Sequence, residues 1–127
     1  MKHADLTERI IGAFYQVHNL LGWGFLEKVY HNALLHELAK RGLRVETKKK
    51  YDVYYDSVLV GEYFADIVVE EAVILELKSV EQLATSHEAQ LLNYLKASGV
   101  EVGLLLNFGP KPQIRRKAYD HAPTLVI

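Results

Sequence analysis

The stretch Val102–Phe108, VGLLLNF, is a nearly unbroken apolar run without a single charge. It is too short to cross a membrane as a helix, which takes about 20 apolar residues. A run of this length and composition reads as a β-strand buried on both faces. Such a strand needs cover on each side, and α/β architectures supply it with helices. The rest of the chain offers them. Leu6, Ile10, Ile11, Phe14, Val17, His18 and Leu21 recur at helical spacing, with Asp5 or Thr7 placed to cap that helix. Gly22-Trp23-Gly24 breaks it, and Trp23 is expected to pack within the loop. A second helix is predicted over 26–41, with Val29, Ala33, Leu34 and Leu38 on its apolar side and Gly42 as its stop. A third is predicted over 86–98, closed by Gly99.

Between these helices lie strand-like segments at 43–55, 58–69 and 73–80, the first two joined by a turn at Asp56-Ser57. Gly61 is a place for the second strand to bend. The tail contains Pro110, Pro112 and Pro123, and reads as a short helix at 114–119 and a last strand at 124–127. The predicted order is ααβββαβ plus a tail. The expected class is α/β: a central mixed β-sheet flanked by helices, one domain over 1–127.

Composition narrows the chemistry. Half of the 127 residues are apolar, which suits a single packed core. No cysteine is present, so disulfides, thiolate nucleophiles and cysteine zinc sites are excluded. No apolar leader or membrane span is apparent, and a cytoplasmic setting is expected. The net charge of −1 is low for a nucleic-acid binder, although local patches matter more than the sum. Lys48-Lys49-Lys50 and Arg115-Arg116-Lys117 are the dense basic runs, each open to a reading as solvated surface. His87-Glu88 begins like a zincin motif, but Leu91 stands where the second histidine is needed. His87 is better read as a cap of the third helix. His31 and His36 are spaced poorly for one helix face, and no P-loop or dinucleotide fingerprint is present.

The chemistry concentrates in YFADIVVEEAVILELKS, residues 63–79. On the third strand Val73, Leu75 and Leu77 share one face, and Ile74, Glu76 and Lys78 share the other. If the hairpin turns on Glu70-Glu71-Ala72, Val69 faces Val73 and Asp66 faces Glu76. Two carboxylates about 4 Å apart repel by roughly 1 kcal/mol in water and roughly 4 kcal/mol at an effective dielectric near 20. A hard divalent cation would offset that. A salt bridge from Lys78 to one of the carboxylates is the plainer alternative. Slipping the register by one residue would send the two carboxylates to opposite faces. Elsewhere, Glu27 and Tyr30 share a helical face, and Gln90 and Tyr94 stand one turn apart.

Together these residues resemble a known family. Gly24-x-x-Glu27-x-x-Tyr30 is similar to the signature of the GxxExxY proteins, part of the PD-(D/E)XK nuclease-like superfamily. The resemblance includes Ala65-Asp66, Glu76-Leu77-Lys78, Gln90-x-x-x-Tyr94 and the GLLLNFG stretch over 103–109. Ala65 departs from the proline in the superfamily's name. The resemblance implies a restriction-endonuclease-like core and a divalent-metal-dependent nuclease. Asp66, Glu76 and Glu27 would bind Mg²⁺ or Mn²⁺. Lys78 would orient the attacking water or stabilise charge on the phosphate. Tyr30, Gln90 and Tyr94 would position substrate. The implied partner is nucleic acid, DNA ahead of RNA, with a homodimer or another protein as a further partner and no membrane. Two other readings stay open: a silent nucleic-acid- or protein-binding module on the same fold, and a hydrolase of small phosphodiesters.

Overall fold

The computed structural model describes residues 1–121. Helix α1 spans Ala4–Leu21 and α2 spans Glu27–Lys40. Strands β1 (Val45–Tyr55), β2 (Val58–Val69) and β3 (Val73–Lys78) follow, then α3 (Thr85–Ser98), β4 (Val102–Phe108) and β5 (Pro112–Ala118). The sheet order is β1-β2-β3-β4-β5. Only β3 and β4 run parallel, joined by α3 as the crossover, so the sheet is mixed.

Every residue of β4 is buried, and two clusters explain why. Val102, Leu104, Leu106 and Phe108 pack with Val73, Leu75 and Leu77 against Ile10, Phe14, Leu34 and Leu38 of α1 and α2. Leu105 packs with Ile74 against Leu91 and Leu95 of α3. Gly103 is what lets α3 come so close: a Cβ there would lie 2.8 Å from Leu91 Cδ1. The sheet is therefore covered on both sides, as the apolar run demands.

The turns follow local chemistry. Asp56 and Ser57 both have positive φ, 52° and 64°, the signature of a tight type I′ hairpin. Gly42 and Gly99, at φ 83° and 78°, end α2 and α3 in the left-handed conformation. Three expectations need correction. Neither Asp5 nor Thr7 caps α1: its N-cap is His3, and Thr7 lies buried with Oγ1 donating to the Ala4 carbonyl. Trp23 is exposed rather than packed. Of the stretch expected as a helix at 114–119, residues 114–118 are instead part of β5, because the free edge of β4 offers seven consecutive pairings, from Val102↔Ala118 to Phe108↔Pro112. The strand expected at 124–127 lies outside the described residues.

The hairpin of β1 and β2 outreaches its neighbours. Only Ile67, Val68 and Val69 of β2 pair with β3, so residues 58–66 extend as a two-stranded arm.

Candidate active site

The arm begins at a fault in β2. Tyr63 and Ala65 pack with the α3 cluster, and so does Val68. Ile67 and Val69 pack on the α1/α2 side. Unbroken alternation would have placed Ile67 with Ala65. The slip falls at Asp66. Across the ladder from it, between the pairs Thr47↔Ile67 and Lys49↔Ala65, stands Lys48 with φ 54°.

On the other side, the β2–β3 ladder runs Val69↔Val73, Val68↔Ile74, Ile67↔Leu75 and stops. Its register, as expected from the sequence, would set Asp66 opposite Glu76. No further pair forms. Asp66 Oδ2 instead accepts the Leu77 N–H at 2.8 Å. A side-chain oxygen replaces a strand carbonyl, and the strands part in a fork with two carboxyl groups in it.

The Asp66 main-chain carbonyl is held separately. It receives His31 Nε2 at 3.0 Å and the Thr47 hydroxyl at 3.4 Å. A carbonyl only accepts, so His31 carries its proton on Nε2, which also reaches Thr47 Oγ1 at 3.1 Å. Asp66 is thus fixed through both its side chain and its backbone.

Glu76 is the strained member. Its Oε1 is buried and has no hydrogen-bond partner. Burial first, then the Asp66 charge and a hydrogen bond to Asp66, push its pKa up to about 9, against a weaker opposing pull from Lys78. Burial and the neighbouring Asp66 charge both favour the neutral form of Glu76. Glu27 opens α2 and is solvent-exposed as a residue. Its pKa is also raised, by burial of its carboxyl end and by Asp66, while Lys78, Lys48 and His31 pull it down. Lys78 ends β3 and makes no ion pair among the described residues, although its field reaches both Glu27 and Glu76. The salt bridge that would have explained it away does not form.

Tyr94 reaches the same site from α3. Burial, Glu76 and Asp66 raise its phenol pKa, and a hydrogen bond from Gln90 opposes the shift. Its ring stacks on Tyr63 at 3.7 Å between centroids, and Tyr63 stacks on Tyr51 at 5.4 Å. Tyr30 belongs elsewhere. It is fully buried, stacked on Phe108 at 4.5 Å. Its hydroxyl donates to the Gly22 carbonyl at 2.5 Å and accepts the Phe25 N–H at 3.2 Å. It therefore shapes the loop that launches Glu27 and is not placed to touch substrate.

A clamp fixes the far side of Lys78. Lys78 pairs in register with Asn107, a fully buried side chain. Asn107 Oδ1 accepts the Val80 N–H and Nδ2 donates to the Val80 carbonyl, both at 2.9 Å. Gly109 is required beside it, since a Cβ there would sit 2.3 Å from the Val80 oxygen. His87 caps α3 as expected, with Nδ1 accepting the Ala84 N–H at 3.1 Å.

Asp66 and Lys78 each act on both Glu27 and Glu76, Tyr94 feels Asp66 and Glu76, and Gln90 reaches the group through Tyr94. His31, Thr47, Lys48 and Asn107 join them without having been anticipated. His31 had one readable signal: it lies one helical turn after Glu27. Among the described residues no three His, Asp or Glu side chains form a ready-made metal-ligand set. The donor chemistry nonetheless fits a hard cation, because the groups at the fork are carboxyl oxygens and one of them is orphaned.

This fold and fork define a nuclease-like α/β domain. The profile of the PD-(D/E)XK nuclease superfamily matches residues 4–117, and the chain belongs to that superfamily. Its members typically use divalent metals. The crystal structure of SSO0001 is similar in fold, with a TM-score of 0.56 at 20% identity. That likeness covers 94% of this chain but 61% of the other, so this chain spans about three fifths of that one. No curated protein matches the chain. No helix among the described residues is long and apolar enough to cross a membrane.

Proposed function

We propose that the chain is a divalent-metal-dependent nuclease that hydrolyses phosphodiester bonds of DNA, or of RNA. The observation that carries this reading is the orphaned oxygen of Glu76, held against Asp66 in an opened sheet with an unpaired Lys78 beside it. Such an arrangement is costly in the bare protein. Buried polar atoms are nearly always satisfied; Asp52 Oδ1 and Arg116 Nε are orphaned as well, but only the Glu76 oxygen stands beside a second carboxyl group and a lysine without an ion pair.

Asp66, Glu76 and Glu27 would hold the metal, and all-oxygen donors favour Mg²⁺ or Mn²⁺. The bound cation supplies Lewis acidity toward the phosphate and offsets the repulsion between the carboxylates. Glu76 must release its proton for this. Lys78, which forms no ion pair among the described residues, would face the phosphate and orient the attacking water or stabilise charge developing on the phosphoryl oxygens. Tyr94, locked by the Tyr63 stack and by Gln90, donates from the α3 side. Water adds to phosphorus, the P–O3′ bond breaks, and the products are a 5′-phosphate and a 3′-hydroxyl. A homodimer would bring two such sites to the two strands of a duplex.

The test is calorimetric titration of Mn²⁺ and Mg²⁺ into the wild type and Glu76→Ala, with cleavage of plasmid and single-stranded DNA in the same samples. Metal binding lost in the variant, with cleavage by the wild type, supports a nuclease. Binding without cleavage of either DNA moves the reading to a smaller phosphodiester. No binding by the wild type leaves a nuclease-shaped binding module.

A further inference from the structure

Most cations of this chain are already engaged. Lys2, Lys40, Arg41, Arg44, Lys49 and Lys50 each form an ion pair, as do Arg115 and Lys117 with Glu88. Seven others form none among the described residues: Arg9 and Arg116 donate to main-chain carbonyls and Lys96 sits over the Tyr119 ring, which leaves Lys28, Lys48, Lys78 and Lys111 without even such a contact. Three of these four gather around Asp66 and Glu27. Lys28 and Lys48 line an open cleft of about 540 Å³ between α2 and β1, together with Glu27, His31, Thr47 and Asp66.

Lys48 reaches that cleft at a backbone cost. Its φ of 54° is left-handed, a conformation that non-glycine residues adopt at a penalty of order 1 kcal/mol or more. Its two neighbours in the Lys48-Lys49-Lys50 run keep to the sheet and pair with carboxylates. The one lysine of the three that drops out of the ladder is the one without an ion pair among the described residues, and it stands across the ladder from Asp66. Surface lysines that merely solvate a strand need no such departure.

We propose that the cleft between α2 and β1 is a backbone-binding subsite, in which Lys48 and Lys28 take the phosphate next to the scissile one and Thr47 bounds its inner wall. The inference rests on the nuclease reading for the identity of the ligand, a nucleic-acid strand. It adds a path: from the fork at Asp66 the strand leaves along α2. It also accounts for substrate binding by a chain of net charge −1, since three of these four cations lie around Asp66 and Glu27.

The probe is a fluorescein-labelled single-stranded DNA 16-mer, read by anisotropy over a range of salt with EDTA present so that no cleavage occurs. Lys48→Gly is the decisive variant, because glycine adopts the left-handed conformation without strain while the side chain and its charge are lost. Its melting temperature should equal or exceed that of the wild type. Its DNA affinity should fall roughly three- to tenfold, with the salt dependence shallower by about 0.7. Lys28→Gln should behave alike, and Lys111→Gln, an unpaired cation outside the cleft, should bind as the wild type does. Lys48→Gly binding like the wild type overturns the subsite, even if the wild type cleaves DNA. An equal loss in Lys111→Gln overturns it as well, as does a wild type that does not bind. Binding that depends on Lys48 in a protein that never cleaves would retain the subsite and overturn the nuclease reading instead.

Discussion

The Leu77 N–H donates to Asp66 Oδ2 at 2.8 Å, in the place where a strand carbonyl would have closed the sheet. This bond separates the structural role of Asp66 from its charge. In Asp66→Asn the amide oxygen still accepts from Leu77, so the fold should survive, with a melting curve within about 1 kcal/mol of the wild type. Metal-dependent cleavage should fall by at least about a hundredfold, since the proposed ligand loses its charge. Circular dichroism melts and a plasmid-nicking assay decide it. Near-normal cleavage would remove Asp66 from the site.

Glu76 makes the stability of the metal-free protein depend on pH in an unusual direction. Its carboxyl titrates near 4.5 when unexposed to these neighbours and at about 9 in the fold. Between those values the folded state holds more protons than the unfolded one. Stability is therefore full below the lower value and declines as pH rises toward the upper one. Glu76→Gln, which copies the protonated form, should match the wild type at about pH 5 and exceed it by about 2 kcal/mol at about pH 8, after allowance for partial solvent access. Equal melting temperatures at both pH values would show that Glu76 is not held neutral.

The same proton should appear in metal binding. Titration of Mn²⁺ at about pH 7.5, in buffers of different ionisation enthalpy, should show close to one proton released per metal, and Glu76→Gln should abolish the release. Affinity should rise with pH over the same window. A heat that is identical in every buffer would argue that the ligands are already ionised.

Lys78→Ala should leave the sheet intact, because Lys78 contributes no ion pair and its backbone stays paired with Asn107. Turnover should drop by about a hundredfold or more, with metal affinity changed far less. Single-turnover cleavage beside metal titration separates the two effects.

Tyr30→Phe is the contrasting case. It removes a hydroxyl that bridges Gly22 and Phe25 within the core, and should cost about 1–3 kcal/mol of stability. Below the melting transition, cleavage should persist. A complete loss of activity in a folded Tyr30→Phe protein would return Tyr30 to the reacting groups.

Much of this could be read in the chain before its structure. The apolar run at Val102–Phe108 demanded helices on both faces, and the Glu70-Glu71-Ala72 turn set the register that brings Asp66 toward Glu76. What escaped reading had no local signal. Nothing in Lys48-Lys49-Lys50 marks the first lysine for a left-handed backbone, because no glycine or asparagine stands there. His31 answers to Glu27 one turn before it and, across the fold, to the Asp66 carbonyl; a search for paired histidines looks to His36 instead. Residues 114–118 became a strand because β4 had an edge to fill, a tertiary demand that overrides weak local preference. Asn107 looked like a blemish in an apolar strand until its register with Lys78 showed what it holds.

The fork also has an evolutionary slope. Glu76 in its acid form is tolerated and in its charged form resisted, so the bare scaffold gains from trading that carboxylate for a neutral side chain. On stability alone each such substitution runs downhill, so a carboxylate at this position is kept against the preference of the bare fold.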